Sequence, residues 1–299
     1  MTVEPRSVDV EGLRWAVRAA GSGPALLLLH GFTGSGRSWG GGLADASIGL
    51  ADAAGGLAYA AVAAGFTTIA PDLPGHGGTG WHEGGPSRPP VSSRATIERT
   101  ADDLPALLRA LGHERAHVVG YSMGARVALR LAISHPARVA SLVVEAPSAG
   151  IADAPGRAAR RAADDALARA LERDGMERFI DAWERTPVLA GEARLGAGDR
   201  ARLRGIRLAH DPAGLAASLR AAGQGVMEPL HDRLSEITSP TLVIVGADDP
   251  VRERATAVAA GIPGARLAVV AGAGHAPHLE APATFVRLVL DFVLEDHAA

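Results

Sequence analysis

The sequence predicts an α/β chain: a mostly parallel sheet of eight strands, flanked by helices and interrupted by one helical insertion. Three observations predict it. Short apolar or β-branched runs alternate with helical stretches, the pattern that a parallel sheet requires. Gly120-Tyr121-Ser122-Met123-Gly124 stands between such a run and a helical stretch, as a sharp strand-to-helix turn would. From Ile151 to about Glu228 the strand pattern disappears, and Arg, Ala and Leu recur at helical spacing. The domain reading is therefore a core over 1–150 and 230–299, with a helical cap over 151–229.

Taken in order, Ser7 to Val10 and Leu13 to Ala19 read as an opening hairpin, and Ala25 to Leu29, which carries no charge, as a central strand covered on both faces. A Gly/Ala-rich stretch, Gly40 to Ala63, holds a helix near Ala44 to Ala64 and leads to a strand at Thr67 to Ala70. The Gly- and Pro-rich run Gly75 to Pro90 reads as a long surface loop. A helix over Thr96 to Leu111 contains Pro105, which predicts a kink or a later start. Ala116 to Val119 then enters the turn at Ser122 and a helix to Ser134. Ser141 to Glu145, Thr241 to Val245 and Arg266 to Val270 complete the eight strands, with helices over Val251 to Gly261 and Pro282 to Glu295.

Composition narrows the classes of function. With 299 residues, 47% apolar, and a net charge of −3, the chain can bury a substantial core and has no electrostatic bias toward nucleic acid. Cysteine is absent, which excludes a disulfide framework, thiol catalysis and thiolate metal sites. All 30 basic residues are Arg, and Asn is also missing, as coding in a high-GC genome would produce. Met1 to Val10 is poor in apolar residues and carries acids, so neither a signal peptide nor a membrane span is expected, and the cytoplasm is the expected location.

The turn at Ser122 is the strongest chemical signal. Flanking glycines let neighbouring elements approach closely, and the serine hydroxyl is left at a helix N-terminus, where free N–H groups favour developing negative charge. A carboxylate and an imidazole follow in the order Ser, acid, His. Gly246-Ala247-Asp248-Asp249 closes the strand at Val245 and offers either aspartate; Gly272-Ala273-Gly274-His275 follows the last strand, with small residues that leave room for an imidazole. His275 is the expected base and His278 its nearest competitor; His113, His117, His135 and His231 read as structural. A serine hydroxyl needs such a base, and the base needs an acid to fix its tautomer. The loop His30-Gly31-Phe32-Thr33-Gly34-Ser35-Gly36 supplies the fourth part: the Phe32 N–H, with the Met123 N–H, forms an oxyanion hole worth about 3 kcal/mol per donor. The loop lacks the lysine and the glycine spacing of a phosphate-binding site.

Leu-His-Gly-Phe-Thr-Gly-Ser at 29 to 35, Pro-Asp-Leu-Pro-Gly-His-Gly at 71 to 77 and Gly-Tyr-Ser-Met-Gly-Ala-Arg at 120 to 126 together resemble the α/β-hydrolase superfamily. Within it the chain is most similar to the 2-succinyl-6-hydroxy-2,4-cyclohexadiene-1-carboxylate synthases of menaquinone biosynthesis. The resemblance implies the α/β-hydrolase fold and, from its spacing after Gly246, favours Asp249 over Asp248 as the acid. Arg126 lies one helical turn beyond Ser122 on the same face, where a buried guanidinium implies an anionic ligand. Ala-Ala-Arg-Arg at 158 to 161 and Leu-Arg-Gly-Ile-Arg at 203 to 207 suggest Arg160 and Arg207 as further carboxylate clamps, with Arg157, Arg161 and Arg204 within a register shift of them. Trp183 and Tyr121 would line the pocket. Two departures stand out: Ala125 replaces a glycine common after the serine, and the Gly40 to Ala63 stretch is longer than usual.

The implied activity is that of a lyase, eliminating pyruvate from an enolpyruvyl cyclohexene dicarboxylate without metal or organic cofactor. A small polycarboxylate is then the expected partner. The alternative is a serine hydrolase that cleaves an ester or C–C bond through an acyl-enzyme. A ligand-binding protein without turnover is a third class, which the full catalytic set argues against. Fold alone does not choose between them.

Overall fold

The computed structural model describes residues 5–40, 56–81 and 94–297. Its sheet runs in the order β1-β2-β4-β3-β6-β7-β8-β9. These strands are β1 (Arg6–Val10), β2 (Leu13–Ala20), β3 (Ala25–Leu29), β4 (Thr67–Pro71), β6 (Ala116–Tyr121), β7 (Val139–Glu145), β8 (Thr241–Gly246) and β9 (Arg266–Val270). β1 and β2 form the expected antiparallel hairpin, β2 pairs antiparallel with β4, and every later pairing is parallel. One strand was not foreseen: β5 (Gly80–Trp81), within the expected loop, pairs antiparallel with Arg14 and Leu13 of β2. Two residues are too few to show an alternating pattern.

Alternation along the central strands sorts side chains to the two faces. Leu27 and Leu29 of β3 join one core with helices α2 (Ile97–Ala110), α3 (Met123–Ser134) and α7 (Arg252–Gly261). Leu26 and Leu28 join a second core with α1 (Leu57–Ala63) and α9 (Pro282–His297) on the opposite face. All five β3 residues are buried, as a strand covered on both sides must be. The helix expected near Ala44 to Ala64 is described only as α1; residues 41–55, and 82–93 of the expected loop region, lie outside the described residues.

α2 overturns one of the two outcomes expected at Pro105, the later start. The helix starts at Ile97, where the Thr96 side chain accepts the Arg99 N–H, and continues through Pro105 to Ala110. Leu104, Leu107 and Leu108 are wholly buried around the proline, and that packing offsets the missing backbone hydrogen bond.

Between β7 and β8 the chain forms the helical insertion: α4 (Ala154–Trp183), a 3-10 segment at Pro187–Arg194, α5 (Ala197–Leu208) and α6 (Pro212–Ala222). Gly175 interrupts α4 with φ 80°, a left-handed conformation that glycine adopts without strain. The insertion has its own small core, in which Ala168, Leu171 and Ile180 meet Leu215, Ala216 and Leu219. Phe32, Trp183 and Leu208 pack against it, so the core loop and the insertion share an apolar seam. α8 (Pro277–Glu280) follows the loop that carries His275.

Candidate active site

The carboxyl ends of β3, β6, β8 and β9 bring the candidate residues together. Ser122 is the residue before α3, with φ 50° and ψ −102°, and its side chain makes no capping bond to the helix. The glycines on either side permit the turn. A Cβ on Gly120 would lie 2.5 Å from the Gly124 carbonyl oxygen, and one on Gly124 would run into the backbone of Leu29.

The Ser122 hydroxyl is therefore free to face His275, whose Nε2 lies 3.1 Å from Oγ. On the other side of the ring, His275 Nδ1 lies 2.9 Å from Asp249 Oδ2, and Asp249 Oδ1 accepts the Val251 N–H at 2.9 Å. Asp249 and His275 are both buried. Asp248 points elsewhere: its side chain is exposed and sits 3.8 Å from Arg194. A Ser–His–Asp chain of this geometry can withdraw the serine proton and stabilise the resulting imidazolium. His278 gives its Nδ1–H to the buried Glu145 at 2.9 Å instead, and its ring packs at a tilt against that of Tyr121, with centres 4.6 Å apart.

The loop after β3 is held from below. His30 is fully buried, and burial lowers its pKa to about 4, so the ring is neutral. Its Nδ1–H donates to the Gly31 carbonyl at 2.8 Å, and Nε2 accepts the Leu73 N–H at 2.9 Å. Asp72 fixes the same region, accepting the Gly36 N–H at 2.8 Å and the Gly78 N–H at 2.9 Å. The run from Pro71 to Gly77 thus clamps the candidate oxyanion loop. Gly31 lets that loop meet Tyr121, since a Cβ there would come within 2.7 Å of the ring. Met123 opens α3, where an N–H has no carbonyl one turn back.

From the insertion, His210 joins the loop. Its Nε2–H donates to the Thr33 carbonyl at 2.9 Å, and its Nδ1 accepts the Gly77 N–H at 2.9 Å. Burial lowers its pKa and that of His76, whose ring stands between His30 and His210.

Ser122, Met123, Phe32, Tyr121, Trp183 and His275 line one cavity of about 240 Å³. Phe32 stands edge-on to Trp183, with ring centres 5.3 Å apart, and the Trp183 indole N–H is buried with no hydrogen-bond partner among the described residues. Arg126, Arg160 and Arg254 also line the cavity, with Asp164 as the only acid among the described residues. Arg160 spends its Nε–H on Asp164 at 2.8 Å. Arg126 donates to the Ala222 carbonyl at 2.5 Å and has no ion-pair partner among the described residues. Burial lowers its pKa to about 10, which leaves it cationic at neutral pH.

Arg207 is placed differently from the sequence expectation. Two protein carboxylates occupy its guanidinium, Glu184 at 3.1 Å and Glu192 at 2.6 Å, and it borders a separate cavity of about 40 Å³ behind Phe32 and Tyr121. Burial would lower its pKa, but the bonds to Glu192 and Glu184 outweigh that and raise it. Among the described residues no group of three or more His, Cys, Asp or Glu side chains is placed to hold a metal ion, and no helix is long and apolar enough to cross a membrane.

This strand-turn-helix serine, with its acid and imidazole on later strand ends, recurs in a known family, whose model, described as the α/β hydrolase family, matches residues 26–288. The chain belongs to the α/β hydrolase family. Within that family, a Bacillus subtilis protein provisionally named 2-succinyl-6-hydroxy-2,4-cyclohexadiene-1-carboxylate synthase is 32% identical over 286 residues, 95% of this chain and 96% of that one. MenH from S. aureus superposes with a TM-score of 0.78 at 27% identity, over 94% of this chain and 98% of its own. A thermophilic esterase from Thermogutta terrifontis, solved with malate bound, also gives 0.78, at 25% identity over 98% and 99% of the two chains. The fold and family are thus shared by proteins named for different reactions.

Arg254 and Gln224 were not foreseen as cavity residues. Arg254 is one of 30 arginines, and nothing in its local spacing separates it from a solvated helix face. Gln224 did carry a signal: it is the sole carboxamide side chain in the sequence.

Proposed function

We propose that this α/β hydrolase family member is a carbon–oxygen lyase that eliminates pyruvate from the enolpyruvyl cyclohexene dicarboxylate that precedes 2-succinyl-6-hydroxy-2,4-cyclohexadiene-1-carboxylate. One observation carries the reading. Arg126, buried and without an ion-pair partner among the described residues, lines the cavity one helical turn from Ser122. A buried cation is costly unless an anion completes it, and a polycarboxylate substrate supplies that anion. The similarity to the Bacillus subtilis and S. aureus proteins supports the same choice.

In this mechanism His275 accepts the Ser122 proton, with Asp249 holding the ring and stabilising its charge. The serine oxygen then removes the carbon-bound proton next to the substrate ketone. The electron pair moves through the ring, the bond to the enolpyruvyl oxygen breaks, and the leaving enolate takes the proton held by His275 to become pyruvate, which returns Ser122 and His275 to their starting states. Negative charge on the ketone oxygen is met by the Phe32 and Met123 N–H groups. Arg126 and Arg160 orient the carboxylates, and Tyr121 and Trp183 form the walls that exclude water.

The test is an ultraviolet assay coupled to pyruvate release, with the enolpyruvyl substrate supplied. Turnover should fall by at least about a thousandfold in Ser122→Ala. In Arg126→Ala, kcat/KM should fall about a hundredfold, the scale of an uncompensated buried charge. Absence of diene formation by the unaltered protein, together with Ser122-dependent hydrolysis of neutral esters, would replace this reading with that of a serine hydrolase.

A further inference from the structure

The cavity has a second polar corner that the mechanism above does not use. Gln224 Oε1 accepts two hydrogen bonds, from the Ser148 hydroxyl at 3.3 Å and from Arg254 Nη1 at 3.3 Å. The Ser148 oxygen in turn accepts the Gly150 N–H at 3.2 Å, which fixes its hydroxyl as the donor to Gln224. Among the described residues the two N–H donors of Gln224, a residue of the cavity lining, have no protein acceptor. Arg254 has no carboxylate partner among the described residues, whereas Arg160 of the same cavity is paired with Asp164. Ser148 and Arg254 also border an adjoining groove of about 230 Å³, so this corner stands where the cavity opens into a second space.

The chemistry of the corner is specific. The Arg254 guanidinium, bonded to the amide oxygen of Gln224, and the NH₂ of the same amide bring two sets of N–H donors to one edge of the cavity, a donor set able to receive both oxygens of one carboxylate. A chain with no Asn and a single Gln keeps that one amide here, oriented by two bonds that leave its donors free. Arg207, the residue from which the sequence led us to expect this role, is already filled by Glu184 and Glu192.

We propose that Arg254 and Gln224 form a seat for a substrate carboxylate remote from the reacting carbon, and so set the preference of this site for polycarboxylates. The inference deepens the lyase reading and rests on it for the identity of the substrate, but the seat itself can be tested without turnover.

The probe is propane-1,2,3-tricarboxylate, titrated calorimetrically into the unaltered protein and into Arg254→Gln, Arg254→Lys, Gln224→Glu and Arg252→Gln. Arg252 lies two residues away and bonds the Ala247 carbonyl outside the cavity, so its variant makes the same change in net charge without touching the corner. The seat predicts Kd weakened about tenfold in Arg254→Gln, the order of one charge-assisted contact near solvent. It predicts at least as much weakening in Gln224→Glu, where the amide donors become a carboxylate, partial recovery in Arg254→Lys, and no change in Arg252→Gln. Equal affinity in Arg254→Gln, an equal loss in Arg252→Gln, or no binding by the unaltered protein each overturns it. With the enolpyruvyl substrate the loss in Arg254→Gln should fall on KM rather than kcat. Turnover with an unshifted KM removes the seat and keeps the lyase; an Arg254-dependent Kd without turnover keeps the seat and removes the lyase.

Discussion

Ser122 sits at φ 50°, where a residue with a Cβ is held only if its surroundings over-determine it. The neighbouring glycines do so by removing every side chain that could resist. Gly124→Ala should therefore cost about 3 kcal/mol or more, because the Leu29 backbone would have to move; chemical denaturation measures it. Ala125→Gly, at a wholly buried helical position one residue on, should cost only about 1 kcal/mol. Near-equal losses in the two variants would contradict this account of the turn. These backbone demands are why the turn at Ser122 and the loop that brings His275 beside it were legible in sequence: Gly-x-Ser-x-Gly and Gly-x-Gly-His are local patterns. Asp248 and Asp249 differ only in direction, which became legible through the bond of Asp249 to His275. Arg207 was misjudged because its partners lie 15 and 23 residues away, and no local pattern announces such pairs.

The elements of the insertion are tied by charge as well as by apolar packing. α5 meets the end of α4 and the 3-10 segment through Arg207, whose side chain is 8% exposed and whose Glu192 partner is 10% exposed. Replacing one member leaves the other buried and underpaired, so Glu192→Gln should destabilise the protein by about 3 kcal/mol. Amide exchange should quicken first over residues 187–208, and uniform quickening across the sheet would argue against a local role. For comparison, removing the Thr96 cap of α2 by Thr96→Ala should cost about 1 kcal/mol. The eight principal strands were legible because each shows an uncharged or alternating run. β5 has no period of its own, and a start of α2 ahead of Pro105 was not legible because burial of the proline's neighbours, a tertiary effect, outweighs its local cost.

For the whole molecule, the buried histidines dictate how stability varies with pH. His30, His76 and His210 all have pKa values below the ordinary 6.5, because burial penalises the charged ring. The unfolded chain therefore binds more protons than the folded one below pH 6.5, and stability falls as pH drops through that value toward about 4, the pKa of His30. His30 alone accounts for roughly 3 kcal/mol of the loss. Melting temperature should hold from pH 8 to 7 and decline steadily from about 6.5 to 4.5; a flat profile over that range would mean that these rings are not held neutral.

One of those rings has a further consequence. His210 belongs to the helical insertion, yet it grips two backbone groups of the core, the Thr33 carbonyl and the Gly77 N–H. The insertion is therefore not an interchangeable cassette. A chimera that grafts a relative's helices onto this sheet leaves both groups stranded unless the graft delivers a donor and an acceptor at the same spot. Engineering a new specificity here should succeed by exchanging walls such as Trp183 within the existing frame, and should fail when the whole roof is exchanged.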